Sequence, residues 1–246
     1  MRPAGRHCCG CRIPRRTGRW LYHRRHPQRR WRPVGLTLTQ SNRRTDMTTI
    51  GIIGAGNIGS AFARILARNG IAATIANSRG PETLETLAQE LAPHITAGTI
   101  EAAAKADIVL IAVPWSKLPS ALAGLPNWYS RIVIDANNPI EAPLFKPADL
   151  NGRLSTEIVA SLVPGARVVK AFNHLLAALL TKDPHAEGGS RVLFYSGDDE
   201  RAKAEVADLI AKLGFAGVDL GPISIGGRLA QFPGGPLPAN NFVKFA

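Results

Sequence analysis

The chain has 246 residues and a formal net charge of +12, but the excess is local. Residues 1–46 hold 13 Arg, no Lys and a single acid, Asp46, whereas the remainder holds 17 basic and 17 acidic residues. All three Cys (Cys8, Cys9, Cys11) also lie in the leader, which excludes disulfide, thiol and thiolate-metal chemistry from residues 47–246.

The leader has no hydrophobic period and contains four Pro, too little apolar surface to offset the entropy of ordering. A nucleic-acid arm, with Trp20 and Trp31 set among the arginines, and an organellar transit peptide are the functional alternatives. Cys8-x-x-Cys11 lacks the second pair of a zinc site, and Arg15-Arg16 lacks the apolar stretch of a twin-Arg export signal. The reading adopted for 1–46 is a basic, disordered leader or a start assigned upstream of the working one. Met47 is the only other Met, and a strand pattern begins within three residues of it. The body is charge-neutral, and its longest apolar run, residues 108–115, is far too short to span a bilayer. These features predict a cytoplasmic protein with no nucleic-acid partner, no membrane role and no metal.

From Met47 onward, short β-rich runs alternate with segments of helical period, the pattern of a parallel sheet covered on both faces. A strand is predicted over 49–54. Ile58, Ala61, Phe62, Ile65 and Leu66 then mark one face of a helix that stops at Gly70. A second strand follows at 72–76 and a helix at 81–91, with Pro81 in its first turn. Residues 94–97 give a weak strand, 100–106 a short helix, and the apolar 107–114 a strand buried on both faces. A short helix near 116–124 precedes a strand ending at Asp135. A helix at 155–163, a strand at 166–172 and a strand at 191–197 come next. Asp198 is the expected N-cap and Gly214 the expected C-cap of the helix that follows. A last strand at 216–221 leads into a Gly/Pro-rich tail. The predicted fold is α/β: a Rossmann-type, doubly wound, mostly parallel sheet with a small C-terminal βαβ portion. The expected division is a nucleotide-binding domain at 47–175 and a C-terminal part, 176–246, that completes the acceptor site.

Gly54-x-Gly56-x-x-Gly59 follows a predicted strand and opens a predicted helix, the context in which this pattern binds a dinucleotide. Gly54 permits the tight turn, Gly56 lets the backbone reach the pyrophosphate, and Gly59 allows close helix–strand packing. With Ala55, Asn57 and Ile58 they make the phosphate loop, whose helix N-terminus offers free N–H groups. About twenty residues on, an Asp or Glu usually holds the adenosine ribose. Here the sequence reads Asn77-Ser78-Arg79, with Thr83 close behind and no acid between them. The missing acid removes repulsion of a 2′-phosphate, and Ser78 and Arg79 supply donors to it. The predicted nucleotide is NADP(H).

On these residues the chain resembles the coenzyme F420-dependent NADP oxidoreductases and their bacterial relatives. The resemblance covers nearly all of 49–246. It rests on "IGAGNIGSA", "NSRGPE", "VPW", "KAFNHL", "SGDDERAK" and "LGPISIGGRLAQF". It implies a reductase that passes hydride between NADP(H) and a small-molecule acceptor, a deazaflavin (coenzyme F420) or a flavin, in a homodimer. It also implies that Val113, Pro114 and Trp115 lie on the nicotinamide side, and that "KAFNH" and "SIGGRL" border the acceptor. Asn173 is then placed to fix a ring carbonyl or amide, and His174 to hydrogen-bond the second ring. The match departs after Asn173-His174-Leu175, where bacterial relatives commonly carry Pro and this chain has Leu176. The same nucleotide unit occurs in membrane metalloreductases that pass hydride to a flavin. Lys170-x-x-Asn173 also resembles the Lys-x-x-Asn pattern of β-hydroxyacid dehydrogenases, in which Lys is the general acid/base. An imine reductase and a non-catalytic NADPH sensor are the remaining alternatives.

Overall fold

In the computed structural model, residues 48–141, 144–186 and 188–245 are described. The leader expectations for 1–46 therefore lie outside the described residues. β1 (Ile50–Ile53) is buried at every position, as a parallel strand covered on both faces must be. Gly51 belongs there because a Cβ at that position would come within 2.0 Å of the Ala103 carbonyl oxygen. α1 (Asn57–Arg68) buries Ala61, Phe62, Ile65 and Leu66 on the predicted face and ends before Gly70, whose φ is +69°. β2 (Ala73–Ala76) follows. The helix predicted over 81–91 is divided: a 3₁₀ turn at Pro81–Leu84 precedes α2 (Glu85–Glu90). The tight turn begins where the Thr83 hydroxyl donates to the Gly80 carbonyl at 2.8 Å.

β3 (Ile95–Ala97) and α3 (Ile100–Ala103) lead to β4 (Ile108–Ile111), again buried throughout. A 3₁₀ turn at Trp115–Lys117 runs into α4 (Leu118–Leu122), and β5 (Ile132–Asp135) ends at the expected residue. A two-stranded ribbon, β6 (Ile140–Glu141) with β7 (Lys146–Pro147), is a structural addition to the predicted elements. α5 (Ser155–Leu162), β8 (Arg167–Ala171) and α6 (Ala177–Leu180) follow, then β9 (His185–Ala186) beside β10 (Gly189–Gly197).

α7 (Glu200–Lys212) corrects the capping assignment. Its N-cap is Asp199, which accepts from Ala202 N at 2.7 Å, while Asp198 accepts from Ile223 N at 3.0 Å. Two adjacent acids compete for one cap, and the distant Ile223 amide takes the first. β11 (Ala216–Asp219) is not the last strand. After a π-helical turn at Ile223–Gly227 and α8 (Arg228–Ala230), β12 (Val243–Phe245) pairs antiparallel with β10.

The main sheet runs β11-β10-β8-β5-β4-β1-β2-β3. The six strands from β8 to β3 are parallel, and β10 turns antiparallel to β8. One face packs α1 and α7 in a core containing Phe62, Leu66, Phe172, Val206 and Ile210. The other packs residues of α3, α4 and α5, including Ala103, Leu118 and Val159. This is a doubly wound α/β fold. Chain order reverses between β1 and β4, so the crevice beyond their carboxyl ends is where such sheets bind ligands.

Candidate functional site

Gly54 leaves β1 with φ +107°, and a Cβ there would meet the Ala112 carbonyl oxygen at 2.1 Å. At Gly59 a Cβ would lie 1.8 Å from the Gly54 carbonyl oxygen, so α1 approaches the turn as closely as only glycine permits. Gly56 differs: nothing lies within 4 Å of the position its Cβ would take. No side chain caps the N-terminus of α1 and no acid lies in its first turn. Ser60 donates its hydroxyl to the Ala55 carbonyl at 3.1 Å, which ties the helix to the loop. The loop Gly54-Ala55-Gly56-Asn57-Ile58-Gly59 therefore presents backbone donors to an anion.

At the end of β2, half-buried Asn77 holds the turn together. Its Oδ1 accepts from Arg79 N at 2.8 Å and its Nδ2 donates to Thr83 Oγ1 at 3.0 Å. Thr83 is thus a support of the turn. Ser78 and Arg79 are exposed, and the Arg79 guanidinium makes no salt bridge among the described residues. The turn is held from within, and its two side-chain donors are left exposed.

Beyond β4, the Val113 amide donates to Asn137 Oδ1 at 2.9 Å, Pro114 is exposed, and half-buried Trp115 packs on the core below. Sequence reasoning missed what lies beneath this turn. Asp135, at the end of β5, accepts from Asn137 N and Nδ2 on one oxygen, at 3.0 and 2.9 Å. Its other oxygen accepts from Thr156 Oγ1 at 2.9 Å and Lys170 Nζ at 3.1 Å. Lys170 also donates to the Asn137 carbonyl. The Asp135 and Lys170 side chains are fully buried. Desolvation pushes the Lys170 pKa down, and the Asp135 carboxylate opposes that shift. A polar residue that ends one apolar strand run at 135, and another that interrupts a second at 170, were the sequence signal. Lys170 is committed to this pair within β8, which removes it as the general acid/base of the β-hydroxyacid dehydrogenase pattern.

Beyond β8, Phe172 takes φ +62° and meets Phe62 edge to face at 4.9 Å. Asn173 Nδ2 donates to Asn138 Oδ1 at 2.9 Å and to the Ala230 carbonyl at 2.6 Å, while its buried Oδ1 has no partner. His174 is 2% exposed, and its ring stacks at a tilt on Phe194 at 5.0 Å. Neither ring nitrogen has a hydrogen-bond partner among the described residues. Burial pushes its pKa down to about 4, with the Val192 backbone a weak opposing influence that falls short of hydrogen-bond geometry. The structure thus brings the phosphate loop, Ser78–Arg79, Val113–Trp115 and Asn173 to one edge of the sheet, and buries His174 under the C-terminal segment. A groove at the opposite, amino-terminal edge, lined by Thr49, His94, Asp208 and Lys212, lies far from this chemistry. Among the described residues no group of His, Cys, Asp and Glu is arranged to hold a metal, and no helix is long and apolar enough to cross a membrane.

Residues 49–139 match the family described as NADP oxidoreductase, coenzyme F420-dependent. A hypothetical protein from Sinorhizobium meliloti of solved structure is 50% identical, with a TM-score of 0.77, over 80% of this chain and 96% of that one. An Arthrobacter sp. FB24 protein assigned as an F420-dependent NADP-reductase is 33% identical, with a TM-score of 0.60, over 71% of this chain and 85% of its own. The rat metalloreductase STEAP3 is 28% identical over 190 residues, 77% of this chain. The chain spans only 37% of that curated relative.

Proposed function

Because the chain belongs to the coenzyme F420-dependent NADP oxidoreductase family, we propose that it moves hydride between NADP(H) and a deazaflavin or flavin acceptor. The observation that carries the nucleotide half is the acid-free turn after β2, where Asn77 and Thr83 hold the backbone and leave Ser78 and Arg79 exposed. A 2′-phosphate fits two donors with no carboxylate beside them. The pyrophosphate fits the open space at Gly56 and the uncapped N-terminus of α1.

Hydride transfer between two flat rings is chemistry the cofactors supply; the protein holds the rings close and aligned. Val113, Pro114 and Trp115 wall the nicotinamide side, Trp115 screening it from water. Asn173 offers its unpartnered Oδ1 to a ring N–H or amide of the acceptor. His174, buried and neutral, shapes the acceptor side through its contact with Phe194. Residues 47–175 form the nucleotide-binding half of this reading, and 176–246 complete the acceptor side. By family resemblance the working unit is a homodimer, and a body without cysteine fits a cytoplasmic location. With a neutral body, its partner is a small-molecule acceptor rather than nucleic acid or a membrane.

Anaerobic assays of the full chain with NADPH test the proposal, coenzyme F420, FMN or FAD being added in separate runs while nucleotide absorbance is followed. Rapid oxidation with the deazaflavin alone supports an F420 reductase. Turnover with FMN or FAD makes the acceptor a flavin. Tight NADPH binding without turnover on any of the three overturns the acceptor half and favours an imine reductase or a nucleotide sensor.

A further inference from the structure

Two consecutive asparagines follow β5, and they reach to opposite sides. Asn137 accepts the Val113 amide at 2.9 Å, at the turn after β4. Asn138 donates to the Asn173 carbonyl at 2.9 Å and accepts from Asn173 Nδ2 at the same distance, at the turn after β8. We propose that Asn137 and Asn138 are positioning residues that set the spacing between the nicotinamide turn and the acceptor turn. This inference rests on the reading that places the nicotinamide at Val113–Trp115 and the acceptor at Asn173.

The orientation of each amide is fixed by its partners. The Asn137 side chain is 3% exposed, and it donates to Asp135 Oδ1 through Nδ2 while accepting from Val113 through Oδ1. A flipped amide would set its oxygen against a carboxylate and its N–H₂ against an N–H, losing both hydrogen bonds. Lys170 and Thr156 hold Asp135 in turn, and Lys170 donates to the Asn137 carbonyl as well. Asn137 is therefore anchored directly to β5 and β8, and to α5 through Asp135. The second amide pair is reciprocal, Asn138 with Asn173, and Asn173 extends the link to Ala230 in the C-terminal part. Neither asparagine has a reactive role to play; each joins one wall of the cleft to the strand between them.

Hydride transfer depends steeply on the approach of the two rings, and a displacement of about 1 Å can cost on the order of a hundredfold in rate. The adenosine end of the nucleotide is held elsewhere, at Gly56 and Arg79. Loosening the asparagine pair should therefore slow hydride transfer without loosening the adenosine end, a split that loss of fold would not produce.

The test uses the full chain and the variants Asn137→Ser and Asn138→Ala. Three quantities are measured: the Kd for 2′,5′-ADP, which probes the adenosine end alone; energy transfer from Trp115 to the reduced nicotinamide of bound NADPH, with Trp115→Phe as the baseline; and the single-turnover rate of hydride transfer to FMN or coenzyme F420, with 4-deuterated NADPH for the isotope effect. Expected are a 2′,5′-ADP Kd within about twofold of wild type, altered energy transfer in Asn137→Ser, and hydride transfer slowed about tenfold or more in both variants with a larger isotope effect. Unchanged energy transfer in Asn137→Ser, together with unchanged rates in both variants, overturns the proposal. If the wild-type chain itself binds neither 2′,5′-ADP nor NADPH, the site reading has failed first and the inference falls with it. Should wild type bind NADPH but reduce no acceptor, energy transfer in Asn137→Ser decides alone: a shift upholds the nicotinamide side, and no shift rejects it. Asn138→Asp keeps the acceptor atom for Asn173 Nδ2 while losing the donor to the Asn173 carbonyl, and its rate should lie between Asn138→Ala and wild type; a rate at or below that of Asn138→Ala would count against the link.

Discussion

Lys170 on β8 donates to Asp135 on β5 at 3.1 Å, and both side chains are fully buried. Such a pair is costly to desolvate, so its partners depend on each other more than the fold depends on the pair. Lys170→Met leaves a buried carboxylate without its counter-charge and is expected to destabilise the protein by about 3–5 kcal/mol. The double variant Asp135→Asn with Lys170→Met should recover part of that loss, because the amide oxygen still accepts from Asn137 and its N–H₂ can donate to Thr156. Urea denaturation of the two single variants and the double variant measures this; a double variant no more stable than the singles refutes the account.

His174 gives stability a pH dependence. Burial holds its pKa down to about 4, against an ordinary value of 6.5. Between those values the unfolded chain binds a proton that the folded chain does not, so stability rises with pH across that window. Above pH 6.5 both states leave the ring neutral, and it adds no pH dependence. As the pH falls from 6.5 toward 4, its contribution to stability is lost at up to about 1.4 kcal/mol per unit, about 3 kcal/mol in all. Chemical denaturation at pH 7.5, 6.0 and 5.0 should show this slope, and His174→Leu should flatten it. Parallel slopes in the two proteins would mean that other groups set the acid limit.

The glycines of the phosphate loop separate a folding requirement from a binding one. Gly59→Ala places a Cβ against the Gly54 carbonyl oxygen at a distance no packing tolerates, so Tm should fall and nucleotide binding with it. Gly56→Ala meets nothing within 4 Å among the described residues and should leave Tm unchanged. Its methyl enters the space assigned to the pyrophosphate, so NADPH affinity should fall about tenfold or more. Thermal melts beside NADPH titrations check both; an unaltered NADPH Kd in Gly56→Ala would move the pyrophosphate elsewhere.

The contrast between these residues shows what the sequence could reveal. Gly54, Gly56, Gly59 and the Asn77–Arg79 turn sit within 26 residues of one another, and their meaning depends on one strand, one turn and the next strand. Local pattern suffices for that. Asp135 and Lys170 are 35 positions apart and lie within runs that read as apolar strands; only the pairing of β5 with β8 brings them together. His174 is more remote still. Its burial is completed by residues far downstream, where Ala239 N donates to the His174 carbonyl and Phe242 packs on Phe194. β12 anchors that segment, and three residues of mixed polarity give no strand period to recognise. The β6–β7 ribbon, with two residues to a strand, is invisible for the same reason. Choosing between Asp198 and Asp199 as the cap needed the position of Ile223 N, which no local rule supplies.

Arg79 carries the last prediction, the choice of nucleotide. Its backbone is fixed by the Asn77 side chain, so truncating the guanidinium should leave the turn intact. A charge-assisted hydrogen bond to phosphate contributes about 1.5–3 kcal/mol, which is about one to two orders of magnitude in affinity. Arg79→Ala should weaken NADPH binding by that factor at low salt and leave NADH nearly unchanged, because NADH has no 2′-phosphate to lose. The difference should shrink as salt rises, since the site is exposed. Asn77→Asp supplies the converse: it puts a carboxylate beside the phosphate and should disfavour NADPH relative to NADH. Paired titrations with both nucleotides decide the matter. Equal losses for NADPH and NADH in Arg79→Ala would show that the arginine supports the loop rather than the 2′-phosphate, and the assignment of NADP(H) to this turn would have to be given up.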